Sequence, residues 1–171
     1  VDLVGLLVDT VADARAAGPD HDWQLDLAVL EPPADATPEE AEDFLPEPPL
    51  VIGDEARLRQ VVVNLLANAR VHTPAGSHVT TTLAREGDTL IVRIHDDGPG
   101  IAPDVRDRLF ERFARGDSSR ERRTGSTGLG MSIALAIVQS HGGSIDVDSS
   151  TAPEDHGTTF SVRLPAAAVE E

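Results

Sequence analysis

The chain has 171 residues, 40% apolar and 26% charged, with a formal net charge of −16. That is enough for one globular domain with a sizeable core, and the acidic balance argues against a general binder of nucleic acid or of anionic membranes. There is no Cys, which excludes disulfides and thiolate metal sites, and no Lys, so the 14 strong bases are all Arg.

No apolar run approaches membrane-spanning length, and no signal-peptide pattern is visible. The chain opens on Val1 and its only Met is Met131, so it is expected to be a piece of a longer protein. Charge is unevenly spread. Seven of the arginines fall between Arg106 and Arg123, whereas Glu31 to Pro49 holds seven acids, six prolines and no base.

Leu3, Leu6, Leu7, Val11 and Ala14 recur at helical spacing, which predicts a leading helix from Leu3 to Ala17 within residues 1–18. Gly18-Pro19 ends it. Trp23, Leu25, Leu27 and Val29 alternate, as in a strand with one buried face. The acidic, Pro-rich stretch 31–49 reads as an exposed excursion, with one helical turn at Pro38 to Phe44. Asp54 then starts a long helix whose apolar stripe is Leu58, Val61, Val62, Leu65, Leu66 and Ala69. Thr73-Pro74-Ala75-Gly76 stops it.

Val79, Thr81 and Leu83 form a strand, Glu86-Gly87-Asp88 a turn, and Leu90, Val92 and Ile94 the inward face of the next strand. Pro103 favours a helix start, and a short helix runs to about Phe113. The polar, Arg-rich stretch that follows is expected to be mobile. Leu129, Ile133, Ala136, Ile137 and Ser140 predict one face of a last helix, capped by Gly142-Gly143. Ile145 and Val147, then Phe160, Val162 and Leu164, predict the final strands, and residues 165–171 a disordered tail. Helices separated by antiparallel hairpins make an α+β sandwich with helices on one face of a sheet. No internal repeat is visible, so residues 1–171 read as a single domain.

Three separated segments carry chemistry. Asn is a poor residue for a helix interior, yet Asn64 and Asn68 share one helix face with Val71, beside the apolar stripe. An amide oxygen there is a hard donor, and Asn68 is the candidate Mg²⁺ ligand, since Mg²⁺ takes few protein ligands and completes its shell with phosphates and water. Asp96 has the inward parity of Leu90, Val92 and Ile94. A buried carboxylate needs donors, and the exocyclic amine of adenine is a suitable one that discriminates against guanine, which offers a carbonyl there. Gly98 and Gly100 let a backbone approach a flat base closely. Gly125 to Gly130 opens a helix, where free N–H groups and the helix dipole suit a triphosphate. Arg112 and Arg115, just upstream, are placed to reach terminal phosphate oxygens. Thr158 shares the inward parity of Phe160, and its hydroxyl is a candidate partner for the base or a bridging water. Each segment alone is also compatible with a plain polar face, an Asp-Gly turn or a flexible loop.

Together these segments resemble the catalytic and ATP-binding domain of sensor histidine kinases, within the ATPase superfamily shared with gyrase, heat-shock chaperones and MutL. The helix from Asp54 to Ala69 resembles that family's N box, and Asp96 to Ile101 its G1 box. Leu109-Phe110-Glu111-Arg112-Phe113 resembles the F box, and Gly125 to Met131 the G2 box. Gly157-Thr158-Thr159-Phe160 resembles the closing Gly-Thr segment.

The resemblance implies a two-layer (Bergerat-type) sandwich, a mixed, mostly antiparallel sheet packed on three helices, with residues 102–127 as a mobile ATP lid. It implies ATP and Mg²⁺ as cofactors and a cofactor-binding set of Asn64, Asn68, His72, Asp96, Gly98, Gly100, Ile101, Gly125, Thr127, Gly128, Leu129, Gly130 and Thr158. Asn64, Arg112 and Arg115 carry the catalytic part. The implied activity is transfer of the γ-phosphoryl group to a histidine. None of the six histidines here has the family's acceptor context, so a dimerisation and acceptor domain is expected before Val1, with a response regulator as further partner. The setting implied is the cytoplasmic part of a membrane-anchored sensor, homodimeric when whole and monomeric as this piece.

Three positions depart from the family pattern. Val71 stands where a phosphate-touching Lys is usual, with His72 or a lid arginine as candidate substitutes. Ser126 replaces a common Gly, and the 31–49 stretch is long. Superfamily members that hydrolyse ATP carry Glu where this chain has Asn64, which cannot act as a general base. The competing readings are a catalytically silent nucleotide-sensing module, motivated by Val71, and a sigma-factor-binding serine kinase on a similar fold, against which Phe110 and Phe113 count.

Overall fold

The computed structural model describes residues 1–106 and 129–168. Helix α1 (Leu3–Ala17) begins where the Asp2 carboxylate accepts from Val4 N–H, and buries Leu3, Leu6, Leu7, Thr10 and Val11. Strand β1 (Asp22–Asp26) follows. The predicted strand does not continue through Leu27 and Val29. Its pairing ends at Asp26 opposite Thr82, and a single 3-10 turn, Ala28–Leu30, then buries Val29. A side chain can keep inward alternation across such a turn while its backbone leaves the ladder.

Within the acidic stretch, the short helix α2 (Pro38–Glu42) carries a Thr37/Glu40 capping box. Helix α3 (Glu55–His72) starts at Asp54, whose side chain accepts from Arg57 N–H, and buries the predicted stripe of Leu58, Val61, Val62, Leu65, Leu66 and Ala69. Strands β2 (His78–Glu86) and β3 (Thr89–Asp96) form a hairpin. A helical turn, α4 (Pro103–Arg106), opens the next stretch. Helix α5 (Leu129–Ser140) and strands β4 (Ser144–Ala152) and β5 (Asp155–Pro165) complete the described fold.

The sheet order is β1-β2-β3-β5-β4. β1 runs parallel to β2, and the other pairs are antiparallel. α1, α3 and α5 cover one face. The core between the layers includes Leu7, Leu65, Leu83, Leu90 and Phe160. This is the mixed, mostly antiparallel two-layer arrangement expected.

Two further expectations need correction. On α5 the buried residues are Met131, Ala134, Ile137 and Val138, whereas Ile133 is 40% exposed and Ala136 and Ser140 face solvent. The helix is apolar nearly all round, so its own periodicity does not select a face; packing on α3 and β4 does. The tail is also not loose from residue 165. Ala166 N–H donates to Asp88 and Ala167 N–H to Leu50, each at 2.7 Å. The expected mobility of the 107–127 part of the lid falls outside the described residues.

Candidate nucleotide site

The C-terminal half of α3, the loop after β3, the start of α5 and the β4–β5 hairpin converge at one end of the sheet. α3 delivers three of the predicted residues. Asn64 and Asn68 are half-buried. Asn64 Nδ2 donates to the Gly130 carbonyl at 3.3 Å, which ties α3 to the first turn of α5. The Asn68 side chain has no hydrogen-bond partner among the described residues, which leaves its carboxamide available. Val71 is 39% exposed. Arg70 does not stand in for the missing Lys, because its guanidinium turns the other way and bonds the Ala17 carbonyl at 3.4 Å.

His72 lies at the exposed end of α3. Neighbouring protein displaces water from its ring and lowers its pKa, while the Asp96 carboxylate acts in the opposite sense. Thr73, the C-cap of α3, was not singled out from sequence. Its hydroxyl donates to the Ala69 carbonyl at 2.6 Å. That uses its one proton, so His21 Nε2–H donates to Thr73 Oγ1 at 2.7 Å.

Asp96 ends β3 facing inward, 6% exposed. Its Oδ1 accepts from Gly98 N–H at 3.0 Å, the one donor to this carboxylate among the described residues. Burial pushes the carboxyl above the ordinary range and Asp97 adds to the rise, while the Gly98 bond, His95 and His72 pull it down. An inward carboxylate with unfilled acceptor capacity fits a purine amine.

The loop glycines serve the chain itself. A Cβ on Gly98 would stand 2.5 Å from Thr73 Cγ2, and Gly100 (φ +85°) would press a side chain into the Ser150 carbonyl. Gly98 and Gly100 are therefore required by close protein packing before any base is considered.

Ile101 N–H donates to Ser149 Oγ at 2.7 Å. Thr158, paired opposite Asp96 across β3 and β5, is buried, and its hydroxyl lies 2.8 Å from Ser149 Oγ. Its inward direction was readable from strand parity, but its described partner is Ser149 rather than a base. Ser149 was missed. It shares the parity of Ile145 and Val147, and a serine on an inward-facing strand position was the available signal. His156, also missed, donates from Nδ1 to the Gly98 carbonyl at 2.5 Å.

Gly130 lies beside the Asn64 carboxamide. Leu129 begins α5. The predicted Arg112, Arg115, Gly125, Thr127 and Gly128 lie outside the described residues. Among the described residues there is no cluster of His, Cys, Asp and Glu able to hold a metal by itself. A cation here would need phosphate oxygens to complete its shell, with the hard amide oxygen of Asn68 as protein ligand.

A model of histidine kinase-, DNA gyrase B- and HSP90-like ATPases matches residues 53–168. The chain is 48% identical over 165 residues to the probable sensor histidine kinase TcrY of Mycobacterium tuberculosis, covering 96% of this chain and 30% of that protein. It is 39% identical over 170 residues to the sensor histidine kinase TrcS of the same organism, covering 96% of this chain and 29% of that protein. The chain thus spans about 30% of the length of the curated relatives it matches. Among solved structures, the mycobacterial sensor histidine kinase MprB superposes with a TM-score of 0.75 at 27% identity, covering 99% of this chain and 97% of that one. Full-length ShkA in complex with AMPPNP superposes with a TM-score of 0.70 at 26% identity, covering all of this chain and 31% of that one.

Proposed function

The chain belongs to the histidine kinase-, DNA gyrase B- and HSP90-like ATPase family, and from that premise we propose that it binds Mg-ATP and transfers the γ-phosphoryl group to a histidine on a dimerisation domain of the same protein, for relay to a response regulator. The observation that carries this reading is the buried Asp96 carboxylate, with a single described donor, beside a glycine-bearing loop. Asp96 accepts from the adenine amine and rejects guanine, which presents a carbonyl there. That the similar full-length ShkA holds AMPPNP supports an adenine nucleotide as the ligand of this chain.

Mg²⁺, when bound, neutralises charge on the phosphates and orients them. Asn68 supplies one oxygen ligand. Asn64 anchors the start of α5 and orients polar groups without taking a proton, since a carboxamide has no basic site at neutral pH. No general base is required. The acceptor imidazole, with a pKa near about 6.5, is largely neutral at pH 7 and brings its own lone pair. The domain's task is positioning and charge stabilisation, with Arg112 and Arg115 assigned to the terminal phosphate.

The 171-residue piece is read as monomeric and the whole protein as a homodimeric, membrane-anchored sensor. No described helix is long and apolar enough to cross a membrane. Calorimetric titration with Mg-ATP tests the nucleotide reading. Saturable heat is expected, and none at about millimolar ATP, a binding energy of only roughly 4 kcal/mol, refutes it. Adding the acceptor domain should then yield an acid-labile phosphohistidine; binding without transfer points to a silent sensing module.

A further inference from the structure

The loop 96–101 is held from two sides. On the β2 side, Asp97 Oδ1 accepts from His78 N–H at 2.8 Å. On the other side lies the β4–β5 hairpin, and the contact is close along its length. His156 Nδ1 meets the Gly98 carbonyl at 2.5 Å, and Ser149 Oγ accepts from Ile101 N–H at 2.7 Å. Between these bonds the two backbones run with no side chain separating them. A Cβ on Gly157 would stand 2.6 Å from the Asp96 carbonyl, and one on Gly100 would run into the Ser150 carbonyl.

Gly98 is the centre of this arrangement. Its N–H holds Asp96 Oδ1, and its carbonyl is held by His156. A carbonyl only accepts, so His156 Nδ1 carries the proton in both the neutral and the charged ring. We propose that His156 is a positioning residue for adenine recognition: through Gly98 it fixes the rotation of the Asp96 carboxylate, with Ser149 fixing the far end of the same loop. The inference rests on the nucleotide reading above. His156 touches no nucleotide in this scheme. It acts on Asp96 across one residue, and its ring is itself exposed.

The test uses the 171-residue chain with His156→Leu, which removes the donor, and His156→Asn, whose side-chain amide nitrogen occupies the place of Nδ1. Mg-ATP and Mg-GTP affinities are measured by calorimetry, with thermal denaturation alongside. His156→Leu is expected to weaken ATP about tenfold, as for one lost hydrogen bond, and to narrow the preference over GTP. His156→Asn is expected to restore both to within about threefold. A merely structural role would lower Tm without narrowing the preference.

Should His156→Leu fail to fold, His156→Gln, whose amide nitrogen lies one bond further out, is the loss-of-contact variant. Unchanged ATP affinity and preference in the folded Leu or Gln variant overturns the proposal. A parent chain that binds neither nucleotide overturns the nucleotide reading, and this inference with it.

Discussion

Burial raises the pKa of the Asp96 carboxyl, so the folded chain holds that proton more tightly than the unfolded chain does. Ionised Asp96 therefore costs stability above its folded pKa, and the cost disappears as pH falls through that value. Asp96→Asn removes the charge and keeps an oxygen for Gly98 N–H. Its Tm at neutral pH is expected to equal or exceed the parent's, with the gap closing as the solution is acidified. A gap that does not change with pH would mean that burial of the charge is not its source. The same variant presents an NH₂ group to the adenine amine, donor against donor, and is expected to lose ATP affinity by at least about tenfold. Asn68→Ala should behave differently. It is expected to weaken Mg-ATP by roughly three- to tenfold and metal-free ATP less, because the group lost is the proposed metal ligand. Calorimetry with and without Mg²⁺ separates the two.

Helices α3 and α5 meet again at the end far from the candidate nucleotide site. His141 donates from Nδ1 to the Ile137 carbonyl at 2.7 Å and accepts at Nε2 from Asp54 N–H at 3.0 Å, so one ring ties the end of α5 to the cap of α3. His141→Ala should cost about 1 kcal/mol, and its combination with Asp54→Ala should be less than additive, because both act on the same helix end. Denaturant titration of the double-mutant cycle measures this. On α5 itself, Ala134→Leu is expected to cost about 1–3 kcal/mol by overpacking, and Ile133→Ala less than about 1 kcal/mol.

That pair also shows what the sequence could not resolve. The stripe of α3 was legible because Arg, Asn and Gln residues interrupt it and leave one apolar face. α5 is uniformly apolar, so only its neighbours choose the buried side. β1 was legible as alternation but not in its end point, since Leu27 and Val29 continue the pattern across a turn. In the site, Asp96 and Thr158 could be placed by strand parity alone. Ser149 had the same parity signal, though not its partner Ile101, whereas Thr73 and His156 act through contacts with residues distant in the chain, which spacing does not encode.

Across the whole molecule, a net charge of −16 works against compaction. The described ion pairs are mostly exposed and individually weak, such as Arg59 with Asp9 at 3.5 Å and Glu55 at 3.4 Å. Salt should therefore relieve more repulsion than it screens attraction. Tm is expected to rise as ionic strength increases from roughly 0.01 M to 1 M, over which the screening length shrinks from about 30 to 3 Å. A falling Tm would mean that the local pairs dominate. The segment 49–51 has a different bearing on the architecture. The Val1 nitrogen donates to the Val51 carbonyl at 2.6 Å, Leu3 N–H to the Pro49 carbonyl at 3.2 Å and Ala167 N–H to the Leu50 carbonyl at 2.7 Å. Val1 and Ala167 thus share one anchor, like two points of a cord tied to the same peg. A circular permutant, with those ends joined by a short Gly-Ser link and new ends opened in the exposed 31–35 stretch, should reassemble the same five strands in the same order.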